Sequence, residues 1–591
     1  MSTDHRQQQI AQAEEILGDR LQQASFAKGL FFGQYLQQRL PGYPSIEHDS
    51  AMADRVAELR RFCQSEVDPV AIDRQAEIPP AVIEGLGRLG VLGACLPPTA
   101  GGLGLSQTQY CQLLEVLGGH CGSTALFVNA HHSIGPRALV LFGTAEQQQR
   151  WLPKLATGEW ISAFALTEPQ AGSDAANVQT TATPTADGKG YTLNGQKRWI
   201  TNGGIAQVLT VMARTPDAAS GGSKITAFLV TPDMPGFEVV EKRMEKLGVR
   251  GTATSRLAFN QMFVPRENVL GQVGKGLKVA LTVLDFGRTT FGASCTGAAK
   301  FCVQHAVQHA NTRVQFDQTL ASFELVKEKL AAMQAGVYAM EACTYSTAAT
   351  IDAGEGDFML ETAMLKVFST EMLWRILNDT FQIHGGTAYF TDQPFERMLR
   401  DARINTIGEG ANDVLRAFTA LVGMRDVGLE LEGVLNAVYH PFGNLTRIGR
   451  FAGRKLGSLL VPPNIPVRNS ELDDDAAGLG RGIAALGSHV ERLLRTYQKE
   501  IVDRQYQLGR VADVATELYV GCCVLSRMDH TLRSAHHNHH DENRTAWELE
   551  TGRFFLKTSA RRVQQSLAAL WDNDDEATTH LADRVTKGGA T

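Results

Sequence analysis

The amino-acid sequence predicts an α+β protein that is mostly helical, with one β-rich region inserted between helical regions. Two observations support this prediction. Residues 51–160 and 276–425 show the helical spacing of apolar side chains, whereas 161–275 consist of short β-rich segments separated by Gly, Pro, Asn and Asp. There is no βαβ alternation, and no GxGxxG motif follows a predicted strand, so a Rossmann domain is not expected.

Residues 51–160 are expected to form an N-terminal helical domain. The helical pattern begins at Arg55, Leu59 and Phe62, and the loop sequence PPTAGGLGL interrupts it. Residues 1–50 are polar except for the stretch SFAKGLFFGQYL. We interpret them as a leader with one short apolar anchor.

Residues 161–275 are expected to form a middle β domain, either an antiparallel barrel or a sandwich. The predicted strands include ISAFALT, YTLNGQKRWIT, QVLTVMART, ITAFLVT and SRLAFNQMFV. Longer helical patterns in 276–425 predict a C-terminal helical domain. Residues 426–591 predict an extra helical extension that opens with a Pro- and Gly-rich stretch.

Composition limits the classes of function. The net charge of -6 argues against nucleic acid as a partner. The nine cysteines form no CxxC pair, so neither a disulfide framework nor a metal site is expected. The N-terminus lacks the apolar core of a signal peptide and contains early acidic residues, which transit peptides avoid. These features favour the bacterial cytoplasm, with or without membrane association, over a processed mitochondrial protein.

The first candidate functional residue is Glu409, in the segment Arg400–Arg416 (RDARINTIGEGANDVLR). It lies between Gly408 and Gly410, which allow a sharp turn and the close approach of a ligand. A carboxylate held in this way can be desolvated and aimed as a general base. The alternative is a glutamate that caps an ordinary loop.

Two further segments favour a flat ring cofactor. FALTEPQAGSD at 164–174 and NGQKRWITNGG at 194–204 place Ser, Thr, Gly and a large aromatic at predicted strand ends and turns. Backbone amides and hydroxyls there can bond the edge of a ring, and Trp199 can cover a face. The alternative is ordinary turn chemistry with a tryptophan in the core.

Together these segments resemble the acyl-CoA dehydrogenase family of flavoproteins. Further motifs occur in the same order as in that family: DFGR at 285–288, RVQF at 313–316, QIHGG at 382–386 and IGEGAND at 407–413. The resemblance implies an N-terminal helical domain, a middle antiparallel β-barrel domain and a C-terminal four-helix bundle. It also implies that the cofactor is FAD.

The resemblance assigns FAD-binding roles to residues of this chain. Those expected at the flavin are Phe164, Leu166, Thr167, Gly172, Ser173, Trp199, Ile200 and Thr201. Those expected at the adenine dinucleotide part are Arg313 and Phe316, which reach the FAD of a neighbouring subunit, and Gln382, Gly385 and Gly386. Ala411 and Asp413 occupy further family contacts, although threonine is common at the position of Ala411.

The resemblance also implies the reaction, in which Glu409 takes the α-proton of an acyl-CoA thioester while the β-hydride passes to FAD. The implied substrate contacts are Ser173, Asp285, Arg288 and Gly410. For Asp285 and Arg288 the alternative is a surface ion pair, which is worth little. Some relatives place the base at the position of Gly287, where glycine cannot act.

The extension 426–591 resembles that of the very-long-chain branch of the family, as in HPFGNLTRIGRF and KEIVDRQYQLGRVADVATELY. This resemblance implies long- or very-long-chain fatty acyl-CoA as substrate, an electron-transfer flavoprotein as electron acceptor, and a homodimer. Leu126 and Ala130 align near the floor of the acyl pocket, and their small or apolar side chains favour a deep pocket.

Residues 445–460 show an amphipathic pattern. Leucines, Ile448 and Ala452 share one side of a helix, with Arg447, Arg450 and Arg454 roughly opposite. This pattern predicts contact with an anionic membrane surface through the segment 440–460. The alternative is a helix docked on the protein's own core.

Two other functions remain open on the same fold. One is an acyl-CoA oxidase that uses oxygen, and the other is a scaffold or assembly protein. Glu409, Thr201 and Arg313 together favour an enzyme.

Overall fold

The computed structural model describes residues 23–46, 49–217, 221–439, 461–538 and 542–588. The predicted membrane-contact segment lies outside these residues, as does most of the first half of the predicted leader. The described residues divide into two compact units. One is formed by the described parts of Pro44–Gly356 and Leu365–Ala411, and the other by those of Ala24–Tyr43, Asp357–Met364 and Asn412–Thr591. The finer domain boundaries stay predictions.

The helices that precede the sheet are α1 (Phe26–Phe31), α2 (Ser50–Glu66), α3 (Pro69–Gln75), α4 (Pro80–Arg88), α5 (Gln107–His120), α6 (Gly122–Val128), α7 (Gly135–Phe142) and α8 (Ala145–Thr157). A π-helical turn, Asn129–Ile134, lies between α6 and α7. Local sequence sets two of the helix starts. Ser106 and Gln109 form a capping box at α5, and Thr144 and Gln147 form another at α8.

The strands of the main sheet are β1 (Ser162–Ala165), β2 (Thr181–Pro184), β3 (Gly190–Ile200), β4 (Val208–Asp217), β5 (Gly222–Val230), β6 (Phe237–Glu241), β7 (Ser255–Pro265) and β8 (Val269–Leu270). Their order is β6-β7-β3-β2-β4-β5-β8, and β1 pairs with β4. In the register of β1 with β4, Phe164 lies opposite Thr210.

The predicted β-rich middle domain is confirmed, but the predicted antiparallel barrel is not. The described strands run from β6 at one edge to β8 at the other and do not close. The sheet is also mixed, because β1 and β2 each pair with β4 in parallel. Alternating apolar residues identify a strand, but they specify neither its partner nor the direction of pairing.

Each face of the sheet has its own core. One face packs against α7 and α8 through a cluster that includes Trp151, Leu155 and Met212. The other face is filled by a second cluster that includes Phe228 and Phe259. Phe164 of β1 belongs to the first cluster and Ile200 at the end of β3 to the second.

The elements that follow the sheet are α9 (Gly276–Thr312), β9 (Val314–Gln315), β10 (Gln318–Thr319), α10 (Glu324–Asp352), α11 (Met359–His384), α12 (Gly386–Tyr389), α13 (Phe395–Arg403) and α14 (Asn412–Tyr439). The backbones of α5 and α9 come so close that a Cβ on Gly297 would overlap the carbonyl oxygen of Glu115. Asp352 caps α5 by accepting hydrogen bonds from the N–H groups of Gln107 and Thr108. The close approach at Gly297 packs α9, which contains the DFGR motif, directly against α5, and Asp352 joins α10 to the start of α5.

The extension contains α15 (Asp473–Tyr497), α16 (Gln505–Asn538), α17 (Glu542–Ala569) and α18 (Asp575–Thr586). Three aspartates open α15, where the helix dipole favours negative charge. The short helix α1 is buried in the same unit, where Nζ of Lys28 lies 2.8 Å from Oδ2 of Asp357. The predicted fold class, mostly helical α+β with an extra helical extension, is confirmed.

Candidate active site

Glu409 lies in the short loop between the 3₁₀ turn Ile404–Thr406 and α14. Its backbone has a φ of +55°, and Gly410 follows with a φ of +97°. A left-handed backbone is uncommon for a residue with a side chain, and such residues concentrate at functional sites. Gly410 therefore supplies the predicted turn, whereas Gly408 is not among the described residues with positive φ.

The carboxylate of Glu409 lies between Asn129 and Gly287. Nδ2 of Asn129 donates a hydrogen bond of 2.8 Å to Oε1. The second oxygen, Oε2, is buried and has no hydrogen-bond partner among the described residues. A Cβ on Gly287 would come within 2.8 Å of Oε2, so the missing side chain at this position makes room for the carboxylate.

Burial raises the pKa of Glu409 to about 7, while Lys366, Arg288 and the hydrogen bond from Asn129 oppose the rise. The residue as a whole is partly exposed, but the exposed atoms do not include Oε2. Its carboxylate therefore lies in a drier environment than its backbone. A carboxylate with a pKa near neutrality can accept a proton at working pH.

Two buried cations hold the loop by its backbone. Nζ of Lys366 on α11 donates a hydrogen bond of 2.8 Å to the carbonyl oxygen of Gly410. Nε of Arg288 on α9 donates one of 3.4 Å to the carbonyl oxygen of Glu409. Burial lowers the pKa of Lys366 to about 8, while the charge of Glu409 opposes this. The backbone around the carboxylate is thus fixed from two helices.

Asp285 and Arg288 are predicted to contact substrate. Nη1 of Arg288 lies 3.0 Å from Oδ1 of Asp285, and the residues are only 6% and 1% exposed. The pair is therefore not on the surface. Its observed contacts reach the loop of Glu409, and a direct contact with substrate stays a prediction.

The two predicted flavin segments lie side by side. The N–H of Arg198 donates a hydrogen bond of 3.0 Å to the carbonyl oxygen of Thr167. Nζ of Lys197 donates one of 3.0 Å to the carbonyl oxygen of Leu166. The predicted flavin contacts lie on or beside these two strand ends: Phe164 in β1, Leu166, Thr167, Gly172 and Ser173 after it, Trp199 and Ile200 at the end of β3, and Thr201.

A buried ion pair that the sequence analysis missed supports this arrangement. Nζ of Lys197 lies 2.7 Å from Oε1 of Glu168, and both side chains are buried. Burial lowers the pKa of Lys197 to about 8. For Glu168, burial acts to raise the pKa, but Lys197 and hydrogen bonds from Gln179 and Thr180 outweigh it. The sequence gives little signal for this pair, because Lys197 lies in the polar run Asn194–Arg198 of β3, where a lysine is expected to be exposed.

The arrangement fits a dinucleotide with a flat ring. A Cβ added to Gly172, Gly385 or Gly386 would meet no atom within 4 Å, so each glycine leaves space for a ligand. Trp199 is 52% exposed and Phe316 is 88% exposed, although both are large aromatics. Exposed aromatic faces and open glycine turns match the ring and phosphate parts of FAD.

The remaining predicted cofactor residues lie on helix ends and a hairpin. Arg313 ends α9, Phe316 lies in the turn of the β9–β10 hairpin, and Gln382 is in the last turn of α11. Hydrogen bonds among the described residues join this hairpin neither to β1 nor to β3. Ala411 precedes α14, and the side chain of Asp413 in its first turn is 97% exposed.

A cavity of about 60 Å³ lies beside Asn129. Asn129, which bonds Glu409, lines it together with Leu126, Phe291 and Met398. Of the two residues predicted at the pocket floor, Leu126 lines this cavity, whereas Ala130 is buried outside it.

Protein-family models match most of the chain. They are the acyl-CoA dehydrogenase N-terminal domain at 51–159, middle domain at 163–262 and C-terminal domain at 274–422, and the ACAD9/ACADV C-terminal domain at 470–589. The chain belongs to the acyl-CoA dehydrogenase family of FAD-dependent oxidoreductases. Its fourth match places it in the very-long-chain branch, which has the C-terminal extension.

Individual proteins agree with this placement. The very long-chain specific acyl-CoA dehydrogenase, mitochondrial, of Homo sapiens is 38% identical over 566 residues, which are 92% of this chain and 84% of the human protein. The probable acyl-CoA dehydrogenase FadE10 of Mycobacterium tuberculosis is 34% identical, covering 98% of this chain and 91% of its own. A crystal structure of an acyl-CoA dehydrogenase complexed with FAD from Bacillus anthracis has a TM-score of 0.77 at 27% identity, covering 96% and 94% of the two chains.

These matches confirm the predicted family, and FAD is the cofactor of this chain. Glycine turns and exposed aromatics suited to FAD are present in the structure. Within the described part of the chain, no helix combines the length and the apolar character needed to cross a membrane.

Proposed function

We propose that this chain oxidises long- and very-long-chain fatty acyl-CoA to trans-2-enoyl-CoA, with Glu409 as the base that takes the α-proton. The carboxylate of Glu409 provides the strongest support. Oε2 of Glu409 is a buried carboxylate oxygen without a described hydrogen-bond partner, in a group whose pKa burial raises to about 7. Such an oxygen can accept a proton without first losing another bond.

The reaction explains why the base needs this environment. A thioester activates its α C–H bond only modestly, so the site must stabilise negative charge on the thioester while the proton leaves. Bound FAD, which the loop after β1 and the end of β3 would hold, would supply the acceptor for the hydride of the β-carbon. The backbone N–H of Glu409 is the proposed donor to the thioester carbonyl. Lys366 and Arg288 hold the loop that presents both groups.

The cofactor assignments follow the positions of the residues. The loop after β1 and the end of β3 are proposed to hold the flavin. We assign the adenine dinucleotide part to Gln382, Gly385 and Gly386 of one subunit and to Arg313 and Phe316 of its neighbour. The exposed aromatic ring of Phe316 suits contact with a second chain, which supports a homodimer.

The long-chain assignment is supported by the matches to the very long-chain specific relative and to the ACAD9/ACADV C-terminal domain. A series of substrates from butyryl-CoA to stearoyl-CoA tests this directly. We expect kcat/KM to rise along the series and to be highest for palmitoyl-CoA or a longer chain. A maximum at butyryl-CoA would exclude the long-chain assignment.

The fate of the electrons separates the alternatives. In anaerobic stopped-flow, palmitoyl-CoA should bleach the flavin absorbance, and electron-transfer flavoprotein should restore it. Oxygen should support little turnover. Rapid oxygen consumption would identify an acyl-CoA oxidase, and the absence of bleaching would favour a scaffold or assembly role.

We also propose that the protein is located in the bacterial cytoplasm. There the segment 440–460 would contact the anionic surface of a membrane. Replacing Arg447, Arg450 and Arg454 with Glu should abolish binding to anionic liposomes but preserve turnover of a medium-chain substrate in solution. Unchanged liposome binding would refute the membrane contact and leave the enzymatic assignment intact.

A further inference from the structure

Asn129 is placed unusually for a residue that serves only to fill a core. Its side chain is 1% exposed, and it is the first residue of the π-helical turn Asn129–Ile134. π-Helical turns are rare and frequently occur at functional sites. The Nδ2 group contacts Oε1 of Glu409 at 2.8 Å. A buried amide and a catalytic carboxylate are thus joined across 280 residues of sequence.

The other end of the amide is held by Thr290 on α9, whose hydroxyl donates to Oδ1 of Asn129. The hydroxyl of Ser133 lies 3.0 Å from Oγ1 of Thr290 and continues the network. All three side chains are buried. Because Oδ1 accepts from Thr290, the amide presents its NH₂ group to the carboxylate, and a half-turn of the amide would break both bonds.

The charged groups around Glu409 act at different atoms. Lys366 on α11 donates to the carbonyl of Gly410, and Arg288 on α9 donates to the carbonyl of Glu409 while pairing with Asp285. These bonds fix the backbone of the loop. Asn129 instead contacts the carboxylate itself, and so distinguishes one of its two oxygens from the other.

We infer that Asn129 is a positioning residue for the catalytic carboxylate: with Thr290 it holds Oε1 of Glu409 and leaves Oε2, which faces Gly287, as the oxygen that receives the α-proton. This inference rests on the proposed function, in which Glu409 is the base. Asn129 donates a hydrogen bond to the charged form of the Glu409 carboxylate. Loss of this donor should therefore favour the protonated form of Glu409.

The pH dependence of flavin reduction by palmitoyl-CoA tests this role. Asn129→Leu keeps the branched shape of the side chain and removes the donor, so the acidic limb should move up by about one pH unit. The maximal rate should fall about tenfold with little change in KM, because the base is less well oriented. Thr290→Val should cause a smaller shift in the same direction.

Asn268→Leu is the matched control, because it removes a buried amide that bonds the carbonyl of Leu229 in the sheet. It should leave the pH profile unchanged. The role of Asn129 would be refuted if Asn129→Leu binds FAD and shows the same pH profile as the parent enzyme. If that variant fails to bind FAD, the profile of Thr290→Val decides in the same way. Full turnover by Glu409→Gln would instead overturn the proposed function, so the two failures are distinguishable.

Discussion

The ammonium group of Lys366 donates a hydrogen bond of 2.8 Å to the carbonyl oxygen of Gly410, the residue that follows Glu409. Lys366 is fully buried, so its positive charge acts through protein and little water. It opposes the rise in the pKa of Glu409 more strongly than Arg288 or the Asn129 hydrogen bond. One lysine therefore fixes the backbone of the loop and favours the charged carboxylate.

Lys366→Met should raise the pKa of Glu409 above its value of about 7. Because the base must be deprotonated, the activity lost on acidification should then be lost at higher pH than in the parent enzyme. Lys300→Met is the control, since the ammonium of Lys300 bonds Glu115 and Glu341 instead. Identical pH–rate profiles for Lys366→Met and the parent would exclude this electrostatic role.

Gly287→Ala should lower the rate of flavin reduction by at least tenfold while the protein stays folded. The new Cβ would lie 2.8 Å from Oε2 of Glu409, and the end of that flexible side chain can move away. Alanine has a higher helix propensity than glycine, by about 1 kcal/mol, so the protein should stay folded. Gly478→Ala in α15, where the Cβ would meet only Arg481 at 3.8 Å, should leave the rate unchanged. Equal rates of flavin reduction in Gly287→Ala and Gly478→Ala would show that the space at Gly287 is not needed by the carboxylate of Glu409.

Lys197→Met should reduce both stability and FAD content. Its loss leaves Glu168 buried without its cation, and breaking a buried pair costs about 3–5 kcal/mol. The bond to the carbonyl of Leu166 is also lost, which frees the loop after β1. Lys189→Met serves as control, because that side chain is 80% exposed. Measurement of Tm and of flavin absorbance per chain checks both effects, and parent values for Lys197→Met would refute them.

The sequence was sufficient to locate the helical and β-rich regions, because helical and strand periodicities are local. It was not sufficient for the pairing of β1 and β2 with β4, which brings together segments about thirty or more residues apart. Strand patterns are compatible with several partners, and the predicted barrel was one such arrangement. Only the packed core selects among them.

The candidate site likewise contains residues that the sequence identifies and residues that only the fold brings together. Glu409 and Gly287 are recognisable from their motifs, and the structure places the two side by side. Asn129 and Lys366 belong to no motif, and each meets the loop only through the fold. Helical lysines and asparagines are common and mostly exposed, so the sequence offers no reason to select these two.

Glu409→Gln tests most directly whether Glu409 removes the α-proton. The amide keeps the size of the side chain but cannot act as a base at neutral pH. Purified Glu409→Gln should contain FAD at the parent level, and palmitoyl-CoA should reduce it several orders of magnitude more slowly under anaerobic conditions. Flavin reduction at a near-parent rate would contradict the account.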